Sequence, residues 1–139
     1  MEQGRPRPAL RTAALAALLC GVAMAGPCAW AQAGAACRPG GTVEETNACA
    51  VRDYQAADTA IAVLYGDVMR ALAAHERPQL RQEHSAWQRE RVQRCKQATR
   101  ATEQRPEGPR LYHECLTAET QARRQGLMRW LSADSPAKP

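Results

Sequence analysis

The sequence predicts an all-α fold: a small antiparallel three-helix bundle stapled by two disulfides and preceded by a cleaved signal peptide. Three observations lead there. Three segments carry apolar residues at steps of three and four, the spacing that places side chains on one helical face. Two short breaks, His75-Glu76-Arg77-Pro78 and Arg105 to Pro109, separate them, and short connections favour antiparallel neighbours. No segment alternates apolar and polar residues with β-branched side chains, so no sheet is expected.

The chain has 139 residues, enough for one domain. Met1 to Arg11 carries Arg5, Arg7 and Arg11, an Ala/Leu-rich run from Thr12 to Ala25 follows, and Ala29-Trp30-Ala31 precedes Gln32. A basic start, an apolar centre and an A-x-A site describe a secretory signal peptide over residues 1–31. The apolar run is short for a membrane span. A second A-x-A site ends at Ala25, but cleavage there leaves five cysteines. Cleavage after Ala31 leaves four, Cys37, Cys49, Cys95 and Cys115, which can all pair. Cys20 and Cys28 follow Leu19 and Pro27, poor neighbours for a lipoprotein site. The expected location is therefore periplasmic or secreted, with no stable membrane span after cleavage.

The expected mature chain, Gln32 to Pro139, keeps a net charge of +3, because the leader removes three arginines and one glutamate. That is mildly basic, without the dense one-sided patch of a nucleic-acid binder, so no nucleic-acid partner is expected. It has no Phe and few other aromatics, so its core is thin. Small exported domains commonly compensate with disulfides.

Residues 32–41 read as a loop closed by Pro39-Gly40-Gly41. The helical domain is expected over 42–131. Thr42-Val43-Glu44-Glu45 has capping-box spacing and starts the first helix, which should run to about Ala74 with a stripe of Tyr54, Ala57, Ile61, Leu64, Tyr65, Val68 and Leu72. Pro78 suits the first turn of the second helix, expected to reach about Thr102. Its inward stripe is unusual: Leu80, His84, Trp87, Arg91 and Cys95. The third helix is expected from Pro109 to about Leu131, with Tyr112, Leu116, Thr120, Arg123, Leu127 and Trp130/Leu131 inward. Residues 132–139 read as a polar, disordered tail.

Four cysteines allow three connectivities. Cys95, late in the second helix, and Cys115, early in the third, face one short loop and are expected to pair. Cys37 and Cys49 bracket the first cap and form the second expected pair. No C-x-x-C is present, which argues against redox catalysis and haem attachment.

Arg91 and Arg123 lie inside otherwise apolar stripes, where an arginine must be paired and hydrogen-bonded. Asp58, on the flank of the first stripe, is the natural partner, and Glu119 is a second. The expectation is a polar cluster of Asp58, Arg91, Thr120 and Arg123 with Trp87 packed over it, an internal fastener before it is a functional site. His75, His84 and His113 share no ligand spacing and no H-E-x-x-H occurs, so neither a metal nor a cofactor is expected; His84 reads as a hydrogen-bonding residue at the stripe edge. The sequence contains no G-x-S-x-G, G-x-G-x-x-G or phosphate loop, and the expectation is a protein that is not an enzyme.

Cys49, Ala57-Asp58, Ile61, Tyr65, Leu80, Ala86-Trp87, Arg91, Cys95, Gly108, Cys115-Leu116, Thr120, Arg123 and Leu127 together resemble the LprI-like family of small bacterial exported proteins. The resemblance covers Thr42 to about Leu131. It implies a helical, disulfide-bonded domain that binds a protein, with lysozyme or another cell-wall hydrolase as the partner that the family name suggests. The family favours Asn, Gln and Asp where this chain has Ala62, His84 and Val92, which implies that the polar cluster is partly rebuilt here. The alternative is a non-enzymatic envelope domain that binds another periplasmic protein or an anionic surface. Arg81, Arg89, Lys96 and Arg100 on the outer side of the second helix suit the anionic surface.

Overall fold

A computed structural model describes residues 34–132. The expected signal peptide and the tail from residue 133 lie outside the described residues. Within them the chain forms α1 (Val43–Ala71), α2 (Arg77–Thr99), a 3-10 turn (Arg100–Thr102) and α3 (Gly108–Arg129).

The start of α1 follows its sequence. The Glu45 amide donates to the Thr42 hydroxyl at 3.3 Å and the Thr42 amide donates to the Glu45 carboxylate at 2.8 Å, so two otherwise free N–H groups are satisfied reciprocally. Its end, at Ala71, comes about three residues before the expected Ala74. Leu72 is already extended, with φ −74° and ψ 148°. Two side chains from the next element take over the backbone groups released there. The Ala73 amide donates to the Glu76 carboxylate at 2.9 Å, and Arg77 Nε donates to the Leu72 carbonyl at 3.1 Å. Charged groups in the short break thus decide where α1 stops, which an apolar pattern does not report.

Pro78 occupies the first turn of α2 as expected. All five members of the predicted stripe, Leu80, His84, Trp87, Arg91 and Cys95, are buried. The helix tightens into the 3-10 turn at Arg100, so its regular part ends before Thr102. α3 begins at Gly108, which lies so close to the preceding turn that a Cβ there would sit 2.5 Å from the Thr102 carbonyl oxygen. Only glycine allows that approach. The N-cap residue before α3, Glu107, offers no side-chain cap. Asn47 on α1 supplies one from a distance: its amide donates to the Pro106 carbonyl at 2.9 Å and accepts from the Arg110 amide at 3.1 Å.

The contacts set the topology. Asn47 meets Arg110, and Tyr54 lies 5.7 Å from His113 between ring centroids, so α1 and α3 run parallel. α2 returns antiparallel to both, with Arg91 against Asp58 and Cys95 against Cys115. The helices α1 and α3 approach most closely, across small residues such as Ala50, Ala57 and Thr120. α2 stands further off because Trp87, His84 and Arg91 fill the space between it and α1.

Apolar burial is concentrated toward one end of the bundle. Ile61, Val68 and Leu72 from α1, Leu80 and Trp87 from α2, Leu127 on α3 and Trp130 just after it form one cluster, with Leu64, Tyr65 and Met69 against it. Trp130, not Leu131, is the residue that turns inward: it is 2% exposed, against 46% for Leu131. The other end relies on covalent links. Cys37–Cys49 and Cys95–Cys115 are both formed, with Cα separations of 4.4 and 5.7 Å. The second joins α2 to α3 across the proline-rich turn.

Replacing Cys95 and Cys115 by alanine is expected to cost roughly 2–4 kcal/mol, mainly by freeing the unfolded chain. A fall in the urea midpoint with an unchanged helical circular-dichroism spectrum at low denaturant is the expected readout.

Candidate functional site

The centre of the bundle is polar, and Arg91 on α2 organises it. Its side chain is only 6% exposed. One terminal nitrogen donates to Asp58 on α1 at 2.7 Å and to the Thr120 hydroxyl on α3 at 2.7 Å. The other donates to the Tyr54 hydroxyl at 3.2 Å. One side chain therefore hydrogen-bonds all the remaining helices. Thr120 in turn donates to the Leu116 carbonyl one turn back, which leaves its lone pairs facing the arginine. The guanidinium carbon lies 4.6 Å from the Trp87 ring centroid, close enough for a cation–π contact.

Asp58, Trp87, Arg91 and Thr120 thus come together as the sequence suggests. Arg123 joins them differently. Neither Asp58 nor Glu119 is its partner. It donates to Glu83 on α2 at 2.7 Å, while its guanidinium carbon lies 5.6 Å from the Trp87 ring. Glu119 pairs instead with Arg94 on α2 at 2.8 Å. The reason is direction. Arg123 extends toward the C-terminal end of α3, where its guanidinium lies beside Gly126, and antiparallel α2 presents Glu83 at that level. Both ion pairs couple a buried arginine to a half-exposed acid: Asp58 is 46% and Glu83 40% exposed. The carboxylates keep part of their hydration while the guanidinium groups gain charged hydrogen bonds.

His84 departs most from expectation. It is buried, not at the stripe edge, and its Nδ1 has no hydrogen-bond partner. The ring stacks on Tyr65 at 4.1 Å and tilts against Trp87 at 5.1 Å. Burial, reinforced by the positive charges of Arg123 and Arg91, lowers its pKa from 6.5 to about 4. The imidazole is therefore a neutral, flat filler at neutral pH. Tyr54 titrates above its ordinary range, chiefly because of burial; Arg91 opposes that shift and Asp58 adds to it. Sequence reasoning passed over Tyr54 as a ligand of Arg91, Glu83 as the partner of Arg123, and Asn47 as a remote cap. The position of Tyr54 one turn before Asp58 was the available signal for the first.

A model of the lysozyme inhibitor LprI family matches residues 35–127. The chain belongs to this family. No curated protein and no solved structure matches it. The matched span contains every residue of the central cluster and all four paired cysteines. The disulfides and the family together point to an extracytoplasmic setting. Among the described residues, no helix is long and apolar enough to cross a membrane, and no group of three or more His, Cys, Asp or Glu side chains could hold a metal ion.

Two outcomes test this geometry. Arg91→Ala removes the link to Tyr54, Asp58 and Thr120 and is expected to cost about 3 kcal/mol in chemical denaturation. Asp58→Ala should cost less, because Thr120 and Tyr54 still bind Arg91. For His84, a pKa lowered by folding means that its contribution to stability is complete above about pH 6.5 and is lost as the pH falls toward about 4. Comparing urea midpoints between about pH 7 and pH 4.5 should show a shallower acid loss in His84→Gln than in the parent. An unchanged slope would rule out this role for His84.

Proposed function

We propose that this protein is an exported inhibitor of a cell-wall hydrolase, with lysozyme as the first target to test. The observation that carries this reading is membership of the lysozyme inhibitor LprI family across the folded domain. Its architecture suits the role. A binder that acts outside the cell gains affinity when its surface is fixed before contact. Here two disulfides and a buried ion-pair cluster fix three helices. In this reading the domain acts without catalysis of its own, in the periplasm or as a secreted protein after removal of residues 1–31. Asp58, Trp87, Arg91, Thr120 and Arg123 then serve recognition indirectly, by holding the helices in register.

Electrostatics shape what such an interface can use. Animal lysozymes are basic, and long-range attraction would need an acidic patch on the inhibitor. The three acids suited to such a patch are each engaged locally. Asp53 pairs with Arg52, Asp67 with Arg70, and Glu76 with the Ala73 amide. Inhibition would therefore rest on short-range packing and hydrogen bonds, with little electrostatic steering.

A second reading has its own observation. Arg81, Arg89, Lys96 and Arg100 are exposed and make no ion pair among the described residues. A domain that docks on an anionic envelope surface, or on another periplasmic protein, would use this side of α2.

The deciding experiment is lysis of bacterial cell walls by lysozyme in the presence of the purified, oxidised protein. Inhibition at micromolar concentrations, with an association rate that changes little with salt, is the expected result. No inhibition at about that concentration removes lysozyme as the target and leaves the second reading.

A further inference from the structure

An open cavity remains that neither the central cluster nor the hydrolase reading uses. It is a surface groove between the C-terminal end of α2, the 3-10 turn and the start of α3, with a volume of about 750 Å3. Ligand pockets typically span about 300–1,000 Å3. Its walls are held in place. Cys95–Cys115 joins the two helices, Gly108 packs against the Thr102 carbonyl, and Asn47 fixes the first turn of α3. A site built this way needs little ordering when it fills.

The chemistry of the lining is specific. Lys96 and Arg100 face the cavity one helical turn apart, and neither makes an ion pair among the described residues. This sets them apart from Arg91, Arg94, Arg110 and Arg123, each of which is paired with a carboxylate. Gln93 and Gln97 bring two amides with no hydrogen bond to the described residues. Tyr112 contributes an aromatic ring braced edge-on by His113 at 5.4 Å. Glu103 is the only acidic residue in the lining. Cations take carboxylates, amides take hydroxyl groups in both directions, and an aromatic ring takes the apolar face of a sugar. A free phosphate would use the cations and leave the rest idle. An extended peptide would want a strand edge for its main chain, and this bundle offers none among the described residues.

We propose that this cavity binds an acidic oligosaccharide, with its carboxylates on Lys96 and Arg100, its hydroxyls on Gln93 and Gln97, and a sugar ring against Tyr112. Arg89 and Arg81 continue the same side of α2 and would guide a longer anionic chain toward the cavity. Glycan binding here is independent of hydrolase inhibition, since it needs no protein target.

The test is calorimetry and amide-resonance mapping of the oxidised protein with tetragalacturonate, beside uncharged maltotetraose and inorganic phosphate. Tetragalacturonate should bind, shift resonances around Lys96, Arg100 and Tyr112, and weaken with added salt. The other two probes should bind far more weakly. Lys96→Gln and Arg100→Gln should each lower affinity about 10-fold, the worth of one charged hydrogen bond. Arg52→Gln, which alters a cation away from the cavity, should change nothing. Equal binding of phosphate would reduce the site to simple anion attraction and overturn the proposal. So would shifts spread along α2 without Tyr112, or no binding of tetragalacturonate at millimolar concentration.

Discussion

Everything in this domain depends on a single buried guanidinium. Arg91 is the point at which all three helices meet, and it meets them by hydrogen bonds, which have direction, instead of by apolar contact, which does not. An apolar residue of similar volume would often serve stability as well or better. What Arg91 contributes is register. Tyr54, Asp58 and Thr120 must all stand within reach of one planar fork, so sliding any helix by a turn would leave a buried cation short of partners. The apolar cluster beside it could tolerate such a slip far more easily, because Leu, Ile and Val pack adequately in many arrangements.

This division of labour explains why so small a core suffices. One end of the bundle is apolar, the middle is ionic and the other end is covalent. Trp87 joins the first two, lying against Arg91 and Arg123 on one side of its environment and sharing the apolar cluster on the other. His84 extends the same compromise. A residue that could carry charge is kept neutral by burial between Tyr65 and Trp87, so two arginines can stand nearby without a third cation.

Much of this was legible in the sequence because helices make burial periodic. The stripe from Leu80 to Cys95 named every buried residue of α2, and the capping box placed the start of α1. The two disulfides followed from where the cysteines fall relative to the turns. What was not legible is what periodicity does not encode. Arg123 finds Glu83 because its side chain extends past Gly126 toward the C-terminal end of α3, where antiparallel α2 presents that carboxylate. α1 ends early because Glu76 and Arg77 reach back to its last turn. Asn47 caps a helix that begins about sixty residues later, and no local pattern announces a bond of that span. The cavity beside Tyr112 likewise depends on how α2 and α3 diverge around a glycine, which only the three-dimensional arrangement reveals.

The two disulfides also bear on how the molecule is made. Each joins a cysteine to the next one along the chain, across separations of 12 and 20 residues. The loops do not interleave. Cys37 to Cys49 and Cys95 to Cys115 each close within their own stretch of chain, so either bridge can form before the other without trapping it.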